Sequence, residues 1–315
     1  MKIIDKITLL FSRGAAFSVA ASHQLCYYCL LSVIKGISHI PFRILYILSD
    51  ILYYPVFYVV RYRRKIVRKN LRESFPDKSL MEIKQIEKEF YHFFVDMALE
   101  SCKLISISPD EMKQRMRFVN IELANQKLRQ GKSVALYLGH FGNWEWVSSM
   151  GLWLYSGAVA AQIYHKLRNK NMDKLMKVIR ERFGPVSVDM YKTARYISNA
   201  SKDHKPYIIG FIADQSPKKR EVKHFTDFLN HKVPVLTGSE KLIKRYGYDA
   251  LFVRMTRIKR GYYECEFIPL HEHPNELPDF DLTQLYFQKL EHEIRQHPEL
   301  YLWTHNRFKH AYLKQ

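Results

Sequence analysis

The chain is poor in cysteine, glycine and proline, with four, 12 and 12 of them in 315 residues. Cysteines this scarce, at Cys26, Cys29, Cys102 and Cys265, cannot form a disulfide framework for so long a chain and fit a reducing compartment. Low glycine and proline exclude collagen-like and low-complexity classes, and the lack of any repeat of about 20–50 residues excludes a solenoid. Acids are short as well: 31 Asp and Glu stand against 50 Lys and Arg, a net charge of +19. Such a surface seeks anions, whether nucleic acid, an acidic membrane, a phosphorylated substrate or an acidic carrier protein. What the chain does have is 47% hydrophobic residues, enough for a substantial core in one large domain or two small ones, which rules out disorder.

Residues 1–23 carry basic, apolar and small residues in the manner of a secretory signal, but Arg13 interrupts the apolar stretch and argues against a cleaved leader. Cys26 and Cys29 have redox or zinc spacing within an apolar run, with no second pair and no strand before them; they read as ordinary buried or lipid-facing cysteines. Leu25 to Val60 is dominated by Leu, Ile, Val, Tyr and Phe, interrupted by Lys35, Arg43 and Asp50. The 17 residues between Arg43 and Arg61 fall slightly short of the ~20 a spanning helix needs, and a charge near mid-bilayer costs ~3 kcal/mol. An amphipathic, shallowly inserted helix fits better. Arg61 to Arg72 follows with seven cations and no acid in 12 residues, and juxtamembrane cations gain roughly 1 kcal/mol each near an anionic leaflet. Residues 1–60 are thus expected to be a membrane-associating segment and 61–315 the functional domain.

Helical periodicity predicts helices over Asp77–Leu104 and Pro109–Gln130. Short apolar runs at Ser133–Gly139, Val159–Tyr164, Tyr207–Ala213 and Ala250–Met255 read as buried strands, with helices near 143–156, 170–183, 191–202 and 237–246. Alternation of this kind predicts an α/β fold, a mostly parallel sheet flanked by helices. Lys259-Arg260-Gly261 reads as a turn between two strands that give the sheet an antiparallel edge, before a Pro-rich loop at 271–279 and a last helix near 281–297.

Ligands of open α/β sheets bind at the carboxyl ends of the strands, and two such ends here carry reactive side chains. In LYLGHFGNWEW, His140 ends a strand and Glu145 falls in the first turn of the next helix. Gly139 and Gly142 permit a tight turn, and the amides of a helix starting near Asn143 can face an anion or a developing oxyanion. Asp214 and Gln215 lie at the second end. An imidazole followed at five residues by a carboxylate suits a general base and the acid that orients it. A chain with 14 His holds one or two such pairs by chance, and His271 with Glu276 forms another in the Pro-rich loop; strand, turn and helix start distinguish the His140 pair.

These residues resemble the H-x4-D/E motif of the lysophospholipid acyltransferase superfamily, in the form of the lauroyl/myristoyl-type late acyltransferases of lipid A biosynthesis. YRRKIVRKNLRESFP (62–76), GHFGNWEW (139–146), RERFG (180–184), DQSP (214–217), FLN (228–230) and YLWTHNRFK (301–309) follow that family's order and spacing, from about residue 28 to the end. The resemblance implies transfer of a fatty acyl chain from an acyl carrier protein thioester to a hydroxyl of a lipid A precursor. It places the reaction at the cytoplasmic face of the inner membrane, where the basic run meets anionic lipids; an alcohol attacking a thioester needs neither metal nor cofactor, and the sequence offers no convincing metal cluster. By position, His140 deprotonates the acceptor hydroxyl and Glu145 orients His140. Arg180 or Arg182 supplies the functional arginine, and Asp214 matches the acid after the third strand. Gly142, Asn143 and Gln215 join the substrate site, while Asn306 stands where the family often has a second arginine. The basic stretches 166–182 and 217–223 suit lipid phosphates and an acidic carrier protein.

Three rivals remain at this level. One is an acyltransferase for another lipid acceptor, such as a glycerolipid, ornithine lipid or phosphatidylinositol mannoside. Another is a nucleic-acid-binding protein built on Arg61–Arg72, against which the adjoining apolar block argues. The third is a membrane scaffold without activity.

Overall fold

A computed structural model describes residues 27–311. The signal-like residues 1–23 and Cys26 lie outside them. The described chain begins with a helix at 27–39, α1, followed by α2 (Phe42–Tyr54), which runs into a π-helical turn at Pro55–Val59. Then come α3 (Arg64–Ser74) and α4 (Leu80–Lys103). Ser79 starts α4 with a capping box: its hydroxyl accepts from the Glu82 amide while the Glu82 carboxylate accepts from the Ser79 amide at 2.8 Å.

The next predicted helix is two helices. Pro109–Arg115 forms α5, Met116–Phe118 is a short strand β1, and α6 resumes at Ile121–Arg129. The apolar periodicity is shared by both pieces, and hydrogen bonding of β1 to a distant strand breaks the run between them. Alternation then proceeds through β2 (Val134–Leu138), a 3-10 helix (Trp144–Leu152), β3 (Val159–Tyr164), α7 (Lys170–Glu181), β4 (Val186–Asp189), α8 (Thr193–Ala200) and β5 (Tyr207–Ile212). A hairpin of β6 (His224–Phe228) and β7 (His231–Val235) follows, absent from the sequence reading. Its two-residue loop, Leu229 and Asn230, is left-handed at both positions. Next come α9 (Gly238–Tyr246), β8 (Asp249–Lys259), β9 (Tyr262–His271) and α10 (Asp281–Gln296), and the described residues continue to 311.

Among the described residues, seven strands form one sheet in the order β1-β9-β8-β2-β5-β3-β4. The α/β expectation holds: β8, β2, β5, β3 and β4 run parallel and helices flank the sheet. The expected antiparallel strand is β9, but it is not the edge, because β1 pairs parallel to its outer side. Every residue of β2 is buried, as a central parallel strand requires. The connections from β2 to β3 and from β5 to β8 leave in opposite directions along the sheet, which opens a crevice at the carboxyl ends of β2 and β5.

Phe42–Val59 is long and apolar enough to cross a membrane, yet one side of it is fused to the domain. Leu45, Ser49, Tyr53 and Phe57 are buried at helical spacing, whereas Ile44, Ile47, Ile51, Tyr54 and Tyr58 are exposed on the other side. The Asp50 that interrupts this apolar run pairs with Arg260 at 2.7 Å; Arg260 also bonds Asp96, which accepts from Ser49 at 2.6 Å. In the basic run that follows, Arg64 and Arg68 close on the buried carboxylate of Glu87 at 2.9 and 2.8 Å, and Arg63 donates to the Thr304 carbonyl. Those three cations serve the fold; Arg61, Lys65 and Arg72 face outward.

Candidate active site

Strands β2 and β5 pair in parallel with Leu138 opposite Ile212. His140 and Asp214 each lie two residues beyond that pair, so the register brings them side by side. Asp214 accepts from the His140 ring at Nδ1, 2.7 Å away, and from the His140 backbone N–H at 3.2 Å. Burial of Asp214 works to raise its carboxyl pKa, but the His140 ring, its two hydrogen bonds and nearby Arg307 outweigh this and hold it below the usual carboxylate range. The ionised carboxylate keeps the ring proton on Nδ1 and leaves Nε2 as the basic nitrogen. Gln215, the next residue, places its side-chain nitrogen 3.1 Å from that Nε2. Trp144 packs edge-on against the ring, with centroids 5.1 Å apart.

Glu145 does not pair with His140. Its carboxylate takes both forks of Arg180, at 2.7 Å from Nε and 2.5 Å from Nη2, and accepts from the Trp144 indole at 3.2 Å. Arg180 stands in the last turn of α7, so this bidentate pair ties α7 to the first turn of the 3-10 helix. Desolvation works to lower the Arg180 pKa, and the Glu145 partner more than restores it. Arg182 faces elsewhere: its side chain is exposed and its Nη1 donates to the Leu104 carbonyl at 2.7 Å.

Gly142 and Asn143, expected at the substrate site, form the turn between β2 and the 3-10 helix. Asn143 is fully buried; its amide donates to Glu100 at 2.8 Å and its oxygen caps the 3-10 helix through the Trp146 N–H. Gly142 has φ +61°, donates its N–H to the Leu300 carbonyl, and leaves no space for a Cβ against Met255. The Leu302 N–H in turn donates to the His140 carbonyl, so the segment after α10, residues 298–311, forms a C-terminal strap that braces the loop carrying the imidazole.

His140, Glu145, Arg180 and Gln215 open into one cavity of about 860 Å³, whose wall continues into Leu136, Leu138, Val147, Met150, Phe211 and Leu236. Two residues of the C-terminal strap were missed as individuals. His305 lines the cavity, and burial drives its pKa down to about 4, so the ring is neutral. Arg307 is buried behind Asp214, donating to the Pro234 carbonyl at 3.2 Å with its guanidinium over the rings of Phe228 and Phe287. The motif YLWTHNRFK flags that stretch, but nothing in its spacing shows which side chains turn inward. Asn306 between them is exposed.

A carboxylate-locked imidazole whose Nε2 is held only by the movable Gln215 side chain, beside a partly apolar cavity, can take a proton from a hydroxyl next to a lipid chain once that contact opens. The family model for bacterial lipid A biosynthesis acyltransferases matches residues 15–310. A lipid A biosynthesis acyltransferase of Haemophilus influenzae is 22% identical over 277 residues, covering 85% of this chain and 82% of that protein. The chain therefore belongs to the bacterial lipid A biosynthesis acyltransferase family.

Proposed function

We propose that the protein transfers a fatty acyl chain from an acyl carrier protein thioester to a hydroxyl of a lipid A precursor, with His140 as general base. The observation that carries the mechanism is the Asp214–His140 contact, which holds an imidazole in the cavity wall. The acceptor hydroxyl gives its proton to His140 Nε2 as its oxygen attacks the thioester carbonyl. The resulting imidazolium is stabilised by Asp214. Collapse of the tetrahedral intermediate breaks the C–S bond, and the imidazolium proton goes to the departing thiolate. Arg180 engages Glu145 through Nε and Nη2, which leaves its Nη1 donors for the oxyanion or for an acceptor phosphate. A volume of about 860 Å³ lies within the ~300–1,000 Å³ of small-ligand pockets, and its apolar wall suits an acyl chain.

The exposed apolar face of α2, with Ile44, Ile47, Ile51 and Tyr54, is proposed to lie in the cytoplasmic leaflet of the inner membrane. The ion pairs that bind the opposite face to the domain favour lying in the interface over spanning it. Lys218 and Lys309 border the cavity and suit an acidic carrier protein or lipid phosphates.

The test is to supply the purified full chain with labelled acyl carrier protein and, separately, a lipid A precursor, a glycerolipid and an ornithine lipid. Acylation of the lipid A precursor, detected by mass spectrometry and abolished by His140→Ala, is the expected result. Acylation of another acceptor alone overturns the acceptor, and full activity of His140→Ala overturns the mechanism.

A further inference from the structure

Two consecutive residues hold both nitrogens of the His140 ring. Asp214 takes Nδ1 at 2.7 Å and Gln215 takes Nε2 at 3.1 Å. The first contact serves a general base, because it sets the tautomer. The second opposes it. With Asp214 ionised and the ring proton on Nδ1, Nε2 offers a single in-plane lone pair, and the Gln215 carboxamide N–H occupies it. A hydroxyl awaiting deprotonation must approach that same lone pair at hydrogen-bond distance, along the same direction. Carboxamide and hydroxyl therefore compete for one position.

We propose that Gln215 is a gating residue that caps the base until the acceptor arrives, and so protects the acyl thioester from hydrolysis. The inference rests on the acyl-transfer reading above and adds a regulation of that site. Water can also be activated by His140. Its oxygen would attack the thioester carbonyl while its proton passes to Nε2; the C–S bond would break, the thiolate would take the proton back, and free fatty acid and carrier thiol would leave. A water must displace the Gln215 N–H with one hydrogen bond of its own. An acceptor seated by its acyl chains and phosphates brings additional binding energy to the same displacement. The cap thus discriminates by the strength of what replaces it. Gln215 is built for such movement: its side chain is only partly buried, and three rotatable bonds separate its amide from the backbone that follows β5.

Gln215→Met keeps the length of the side chain and removes the donor, and Gln215→Asn is too short to reach Nε2. Each full-length variant is compared with wild type in two measurements. The first is release of free fatty acid from acyl carrier protein without acceptor, set against transfer with acceptor. The second is carbethoxylation of His140 by diethyl pyrocarbonate, mapped by mass spectrometry with exposed His271 as internal reference. We expect both variants to raise hydrolysis tenfold or more, to lower the ratio of transfer to hydrolysis accordingly, and to speed modification of His140 several-fold. Loss of hydrolysis and transfer in parallel, or unchanged modification of His140, overturns the gate. Faster modification with unchanged hydrolysis overturns its protective role. If wild type shows neither transfer nor hydrolysis but His140 modification still accelerates in the variants, the donor assignment fails while the cap on Nε2 stands.

Discussion

Arg180 closes on Glu145 with two parallel hydrogen bonds across 35 residues of sequence, at 2.7 and 2.5 Å, in the wall of the cavity that holds His140. The acid of the H-x4-E motif thus acts on the guanidinium, and the acid that orients the imidazole comes from another strand. Glu145 and Asp214 have separate partners.

Asp214→Asn keeps the shape of the side chain but removes the charge that holds the ring proton on Nδ1. We expect turnover to fall about a thousandfold or more with little change in KM, since wrong-tautomer substitutions in such pairs have effects of this order. Steady-state transfer assays decide it; a loss below tenfold would mean that Asp214 does not set the tautomer.

Removing one member of the Glu145–Arg180 pair leaves a largely buried partner without its counter-charge. Glu145→Gln and Arg180→Gln are each expected to cost on the order of 3 kcal/mol in stability, and the double variant less than their sum. Thermal denaturation of the four proteins yields the coupling. A parallel cycle of Glu145 with His140 should show little coupling, because those side chains share no contact; strong coupling there would restore the dyad expected from the motif.

Acid should weaken the fold in two separate windows. His305 has its pKa depressed to about 4, so the unfolded chain takes up a proton near pH 6.5 that the folded chain refuses. Its contribution is therefore intact above pH 6.5 and is lost as the pH falls towards 4, on the order of 3 kcal/mol in total. The Asp214 pKa is also depressed, from an ordinary carboxylate value, so its contribution is lost only at still lower pH. Urea denaturation between pH 7 and 4 should show the first loss in wild type and a shallower one in His305→Asn. An unchanged slope in that variant refutes the assignment.

The outer face of α2 can be tested without touching the site. Ile47→Glu with Ile51→Glu places two charges on side chains that are 61% and 60% exposed. Each apolar side chain of this size contributes roughly 1.5–3 kcal/mol when withdrawn from water. Partition into anionic vesicles should drop tenfold or more while the thermal midpoint stays near that of wild type. Undiminished partition would place the membrane contact elsewhere.

Much of the fold was legible because its rules are local. Val159–Tyr164 and the neighbouring apolar runs could be read as strands since buried parallel strands must be apolar on both faces, and the helix that spans Leu80–Lys103 showed in its own apolar periodicity. Where a segment's state depended on distant partners, reading failed. Met116–Phe118 leaves its helix to pair with β9, and the β6–β7 hairpin turns through Leu229 and Asn230 without the Asn-Gly signal of such turns.

The sequence by itself determined the kinds of chemistry at hand, an imidazole at one strand end and an acid with a carboxamide at another, together with a long apolar segment before a basic one. Only the tertiary structure decided the partners. Adjacency of β2 and β5, in register from Leu138 to Ile212, puts Asp214 and Gln215 on the two nitrogens of His140. The 3-10 helix and α7 turn Glu145 towards Arg180. The reason is physical: spacing along a chain specifies which side chains share one element, whereas contact between elements is set by strand order and register, which arise from packing of the whole sheet.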